Sequence, residues 1–215
     1  MLGRDHPDLA TSFNNRAELL RAQARYTEAG PLYEQSHAIL RKALGPGHPH
    51  VAATLNNWAV FFAAQGKHAE AEPLYRQSQV IRERVLGPVH VVVATVLNSR
   101  ARLLTIQGKY AEADSLYLRA IHIREKALGP DHPGLAAWLN NRAGLLKKQG
   151  NYAEAERLYE RSQALREKVL GPDHPDVALV LNNRGELLQC QMRSKGCFYC
   201  RCLWRQILAH SISLL

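Results

Sequence analysis

Apolar and polar positions along this chain alternate with the spacing of amphipathic helices, most clearly between residues 133 and 171. A first apolar stripe falls at i, i+3, i+7 and i+10 and consists of Ala136, Leu139, Ala143 and Leu146. Gly150 interrupts it, and a second stripe follows at Ala155, Leu158, Tyr159, Ser162, Leu165 and Val169. The pattern predicts two helices joined by a tight turn, which together form a helical hairpin.

The hairpin recurs with a period of 42 residues. A Leu-Gly-x-x-His linker marks the period at Leu2/Gly3/His6, Leu44/Gly45/His48, Leu86/Gly87/His90, Leu128/Gly129/His132 and Leu170/Gly171/His174. The glycine is typical of a helix end, and the next helix is expected to begin at Pro7, Pro49, Pro133 and Pro175. Val91 replaces proline in the third unit, so we expect that helix to begin less sharply. A fixed period of this kind indicates a row of stacked hairpins.

The period divides the chain into an array, residues 1–190, and a tail, residues 191–215. The units lie near 7–45, 49–87, 91–129, 133–171 and 175–190. The tail is basic and cysteine-rich, with Cys197, Cys200 and Cys202 following Cys190. Its apolar residues Leu203, Ile207 and Leu208 are spaced as in an amphipathic helix that would cap the array. We favour this interpretation over a zinc site, because Cys197 and Cys200 form one C-x-x-C and no second C-x-x-C pair follows. A truncated or alternative ending of a longer array is a further hypothesis.

Composition narrows the classes of function. The chain has 28 basic and 19 acidic residues, a net charge of +9, and the tail adds four basic residues without an acid. The array is therefore only mildly basic, which favours acidic protein segments over nucleic acid as partners. The sequence has no stretch of 18 apolar residues and no signal peptide, so we expect a cytoplasmic protein without a membrane segment.

The residues Gly150 to Tyr159, GNYAEAERLY, resemble a tetratricopeptide repeat (TPR). The flanking LGPDHP at 170–175 and the Asn pairs narrow the resemblance to the 42-residue type found in kinesin light chains and nephrocystin-like proteins. The resemblance implies an all-α fold, a right-handed superhelical solenoid of about four and a half TPR hairpins. It also implies a concave groove, lined by the first helices, in which Asn side chains face a bound peptide.

Carried onto this sequence, the resemblance assigns a ladder of groove residues. The predicted peptide-binding residues are Asn14, Asn15, Asn56, Asn57, Asn98, Arg102, Asn140, Asn141, Lys147, Asn182 and Asn183. An amide both donates and accepts hydrogen bonds, so it can hold the backbone of an extended peptide. In the alternative interpretation, one Asn of each pair bonds within its own hairpin or faces solvent.

The position after each Asn pair departs from the family pattern, which has leucine there. This chain has Arg16, Trp58, Arg100, Arg142 and Arg184. Each arginine could pair with a second-helix carboxylate such as Glu28, Glu112 or Glu154, which we favour. The alternative is a positive ladder along the groove wall that recognises acidic peptides or phosphates. For Trp58, we favour a core role over an aromatic anchor for a ligand.

The linker histidines are too far apart to share a metal ion, so we expect them to cap the helices that follow. No motif of an enzyme or of a phosphate-binding loop is present, and no cofactor, metal or small-molecule substrate is expected. The favoured function is a scaffold that binds peptide segments of partner proteins. The alternatives are the cargo-binding part of a kinesin light chain-like motor adaptor, a truncated fragment of an NB-ARC/TPR-type signalling protein and, less favoured, an RNA-binding helical repeat.

Overall fold

The computed structural model describes residues 6–195, with side chains up to Met192, so the predicted capping helix and the cysteines beyond 195 lie outside the described residues. Within that range the chain is helical apart from short linkers. The helices are α1 (Pro7–Ala22), α2 (Tyr26–Leu44), α3 (Pro49–Ala64), α4 (His68–Leu86), α5 (Val91–Ile106), α6 (Tyr110–Leu128), α7 (Ala136–Lys148), α8 (Tyr152–Leu170) and α9 (Pro175–Lys195). The predicted all-α hairpin organisation is confirmed.

The chain divides into two compact units, residues 1–109 and 110–215. In the first unit, α1 packs on α2 and α3 packs on α4. In the second unit, α7 packs on α8, which also contacts α9. No helix in the described part of the chain is long and apolar enough to cross a membrane.

Fully buried alanines allow the two helices of a hairpin to approach closely. Ala17 and Ala29 share one core cluster, Ala59 and Ala71 share another, and Ala143 and Ala155 hold the same positions in the fourth hairpin, all with 0% exposure. A buried serine adds a polar contact, because the hydroxyl of Ser36 donates to the Ala10 carbonyl at 2.7 Å. Val169 is a correction to the predicted second stripe, since its side chain is 56% exposed near the end of α8.

Each linker histidine caps the helix that follows it, as predicted. Its Nδ1 accepts a hydrogen bond from the backbone N–H two residues later, at 3.0–3.2 Å in the five linkers. The bond satisfies a donor that the first helical turn leaves without a backbone partner.

The expectation that the first helix of the third repeat begins less sharply than the others is wrong. Helix α5 begins at Val91 directly after the His90 cap and has the same length as α1 and α3. The irregular helix start lies in the fourth 42-residue repeat, where Pro133–Leu135 form a 3-10 turn before α7. Gly134 explains this, because glycine disfavours the α-helix at a position that Val92 occupies in the third unit.

Candidate functional site

In the first unit, the Asn pairs bond across neighbouring hairpins. The Asn57 amide of α3 donates to the Asn14 oxygen of α1 at 3.4 Å, and Asn56 donates to Asn57 at 3.4 Å. Asn15 is exposed. Neither interpretation of the pairs anticipated a bond between hairpins. One amide of a pair therefore joins two repeats, while other polar groups of the ladder stay available.

Two further polar groups of the ladder are buried oxygens. Within the described residues, the side-chain oxygens of Asn56 and Asn98 have no hydrogen-bond partner, and Asn98 is only 8% exposed. A buried amide oxygen without a donor is costly, so a ligand N–H that reached it would be favoured.

The second unit repeats the amide bond between hairpins. The Asn183 amide of α9 donates to the Asn140 oxygen of α7 at 2.9 Å. Lys147 is held by Glu186 with an Nζ to Oε2 distance of 2.7 Å, and the same carboxylate accepts a bond from Asn182. Asn141 is partly buried on the same helix as Lys147. The Lys147 charge is thus balanced on this face, in contrast with Arg102 in the first unit.

A cavity of about 380 Å³ opens on the first-helix face of the first unit. Its lining comes from α1, α3, α4 and α5 and consists of Arg21, Val60, Ala63, Ala64, Tyr75, Ser99, Arg102, Leu103 and Ile106. The predicted residue Arg102, on α5, is exposed, and Arg21, on α1, is half-buried. The cavity therefore combines an apolar floor with two guanidinium groups.

A difference between the first and second hairpins at one repeat position explains the chemistry of this cavity. In the first hairpin, Glu18 accepts a hydrogen bond from the Tyr33 hydroxyl and pairs with Arg21 at 3.0 Å. Val60 holds the equivalent position in the second hairpin, so Tyr75 lacks such a carboxylate. Burial raises the pKa of Tyr75 to about 12, so its hydroxyl, which is protonated at neutral pH in any case, remains a donor. Arg21 is already paired with Glu18, so Arg102 and Tyr75 are the donors that this cavity offers, an arrangement that suits a carboxylate.

Three of the four arginines at this repeat position, Arg100, Arg142 and Arg184, form ion pairs with second helices. Arg142 Nε lies 2.8 Å from Asp114, and its Nη1 lies 4.0 Å from Glu154. Arg184 bonds Glu156, Glu160 and Gln163. These contacts support the favoured interpretation, although the main carboxylates belong to the preceding hairpin. In the first unit, Arg100 lies 3.8 Å from Glu72 and Arg16 is exposed.

Trp58 replaces that arginine in the second hairpin and packs as an aromatic residue. Its ring lies 5.7 Å from His37 and 5.9 Å from Phe62, between centroids, and it borders the core that contains Tyr33 and Phe61. The partners change with it, because Gly30 stands where Glu72 or Glu156 stands in later hairpins. The core role of Trp58 is therefore supported.

A family model of the tetratricopeptide repeat matches residues 8–57, 50–126, 92–146 and 134–195. The chain belongs to the tetratricopeptide repeat family. Solved structures with the same TPR-like solenoid fold include the Podosopora anserina "kinesin light chain nearly identical TPR-like repeats", which is 25% identical. That match has a TM-score of 0.79 and covers 97% of this chain and 96% of the other.

Two more distant structures share the fold alone. BtubC (BKLC) from P. vanneervenii is 19% identical with a TM-score of 0.77, covering 94% of this chain and 81% of that one. Pseudomonas aeruginosa pilF is 20% identical with a TM-score of 0.64, covering 98% and 78%. A comparison with curated protein sequences gave no match.

The TPR pattern did not identify Tyr75 as a groove residue, because that tyrosine keeps the period like a core position. The signal in the sequence was Val60 at the position equivalent to Glu18. This change leaves Tyr75 without the carboxylate partner that Tyr33 has. A comparison of the hairpins position by position would have found it.

Proposed function

We propose that this TPR chain is a non-catalytic scaffold in the cytoplasm that binds peptide segments of partner proteins on its first-helix faces. The predicted Asn positions contact the peptide backbone, and the first-unit cavity selects acidic segments. The observation that carries the proposal is the convergence of Arg102 and Tyr75 around an apolar floor, beside the Arg21–Glu18 ion pair. Charged donors of this type favour carboxylates, and a TPR fold supplies the extended surface.

The Asn positions of the first unit support recognition of the peptide backbone in the same unit as this cavity. The oxygens of Asn56 and Asn98 lack donors within the described chain and, once a side-chain rotation opens them, accept peptide N–H groups in the proposed complex. In the second unit, the Lys147–Glu186 pair leaves a nearly neutral face. Selection for acidic segments therefore rests on Arg102 and its neighbours rather than on Lys147.

The second candidate function is the cargo-binding part of a kinesin light chain-like motor adaptor. The Podosopora anserina structure favours it, because its TPR-like repeats match almost the whole length of both chains. The proposed binding chemistry is the same in both candidates, since a cargo adaptor also holds partner peptides.

The test is selection of peptides from a displayed library on the full chain, with Arg102→Glu selected in parallel. Arg157→Glu is the matched control, because it makes the same change of charge on an exposed side chain of α8. We expect one class of acidic peptides to be enriched by the wild type and by Arg157→Glu but not by Arg102→Glu. If all three proteins enrich every peptide class equally, or a folded wild type enriches none, the proposal is contradicted.

A further inference from the structure

A second cavity, of about 440 Å³, lies between the second helices of the first two hairpins and shares no lining residue with the groove cavity. It is lined from α2, the linker that follows, α3 and α4 by His37, Arg41, Pro46, Val51, Leu55, Arg76, Gln77, Val80 and Ile81. Val51 and Leu55 are buried at its floor, while Val80 is 63% exposed. The volume lies in the range of about 300–1,000 Å³ that is usual for ligand sites.

The 42-residue period provides an internal control for this cavity. Two periods later, the position of Gln77 is held by Arg161, whose guanidinium lies across the equivalent space. Arg161 pairs with Glu125 at 2.7 Å and donates to the Pro130 carbonyl at 2.7 Å. Gln77 is shorter and uncharged, and Arg41 stands at the position of Glu125. The first unit therefore lacks the arginine that crosses this space in the second unit.

The charge at the rim of the α2–α4 cavity is opposite to the charge at the equivalent positions of α6 and α8. Arg41 and Arg76 occupy the positions of Glu125 and Glu160. Arg76 pairs with Glu72 at 3.0 Å, but among the described residues none forms an ion pair with Arg41. Burial, and then the Arg41 charge, lower the pKa of His37, so its imidazole is neutral at pH 7. An anionic group beside Arg41 would complement this rim.

We propose that this cavity is a second binding site, which takes a partner-protein segment with an aliphatic side chain next to a carboxylate. The aliphatic group fills the space over Val51 and Leu55, and the carboxylate pairs with Arg41. The amide of Gln77 and the neutral His37 ring donate to and accept from the peptide backbone. These hydrogen-bonding groups favour a peptide over a fatty acid, which would use only the floor and the cation.

The test is an NMR titration of the full chain with three probes. They are the peptide acetyl-Ala-Leu-Asp-Ala-amide, its Asn isostere acetyl-Ala-Leu-Asn-Ala-amide, and octanoate. We expect the Asp peptide to shift the amide signals of Gln77 and Val80 and to bind at least fivefold more tightly than the Asn peptide. Equal shifts with both peptides, or shifts with octanoate alone, would overturn the proposal.

Two double variants exchange the residues at the rim of the α2–α4 cavity with those at the equivalent positions of α6 and α8. R41E/Q77R installs the crossing arginine and its carboxylate, so binding should be lost with helicity retained. E125R/R161Q should create a new response near Leu135 and Leu139, which hold the positions of Val51 and Leu55. Q77R alone tests occlusion if the double variant loses helicity. Binding that survives in folded Q77R would overturn the proposal.

The groove variant Arg102→Glu separates the two sites. It should leave the titration at Gln77 and Val80 unchanged, because Arg102 does not line this cavity. This outcome holds whether or not the groove binds acidic peptides. Loss of the Gln77 and Val80 shifts in folded Arg102→Glu would contradict a separate site.

Discussion

Arg184, Glu156 and Gln163 show how one side chain can join two neighbouring repeats. Arg184 is 12% exposed at its side chain and binds both the carboxylate and the amide of the preceding second helix. The sequence offsets are 28 and 21 residues, and the same offsets from Trp58 lead to Gly30 and His37. The sequence predicts an arginine paired with a second helix, but the choice of the preceding hairpin needs the packing between repeats, which the period alone does not specify.

Arg184→Met should lower the free energy of unfolding by about 2 kcal/mol, because Glu156 and Glu160 then lose a largely buried cation. The Arg184→Met/Glu156→Gln cycle should show a coupling of about 1 kcal/mol by urea denaturation. Arg157→Met serves as a control at an exposed ion pair and should change stability by less than about 0.5 kcal/mol. Equal effects of the two arginine variants would refute the inter-repeat role of Arg184.

The helices and their ends are the features of this molecule that the sequence predicts best. The 42-residue period, the linker glycines and the histidine positions define the helix ends, because local chemistry alone determines them. The start of the fourth unit was missed, since proline at 133 favours a regular helix whereas Gly134 opposes it. The cavity between α2 and α4 was missed as well, because it depends on Gln77 and Arg41 from two different hairpins.

Histidine caps predict a specific substitution pattern at His90. His90→Ala should lower the free energy of unfolding by about 1 kcal/mol, because the Val92 N–H loses its acceptor. His90→Asn should retain most of the stability, since its side-chain oxygen can accept the same bond. Thermal unfolding followed by circular dichroism measures both. Equal losses for Ala and Asn would argue against capping.

The first hairpin turn holds an alanine in a backbone region that favours glycine. Ala24 has φ 58°, whereas the equivalent turns use Gly66, Gly108 and Gly150 at φ 74–80°. Ala24→Gly should therefore raise the free energy of unfolding by about 0.5–1 kcal/mol. Ala22→Gly, in the last turn of α1, should lower it and serves as the control. A loss of stability in Ala24→Gly would contradict the strain argument.

At the scale of the whole molecule, the repeats are alike in backbone and different in chemistry. The first unit carries a groove cavity with the exposed Arg102 beside the Arg21–Glu18 pair, whereas the second unit neutralises Lys147 with Glu186. The resemblance to TPR proteins predicted a groove along the first helices. It could not predict where acidic segments would be selected, because shared descent makes the Asn ladder alike in every unit.

The most direct test of the central claim is the affinity of a selected acidic peptide for the full chain carrying Val60→Glu. This change restores the Glu18-type arrangement, so the new carboxylate pairs with the groove cations and gives Tyr75 a partner. Val89→Glu is the matched control, because Val89 is 73% exposed and does not line the groove cavity. By calorimetric titration, we predict at least tenfold weaker binding for Val60→Glu and wild-type affinity for Val89→Glu. Wild-type affinity in a folded Val60→Glu protein would contradict the account.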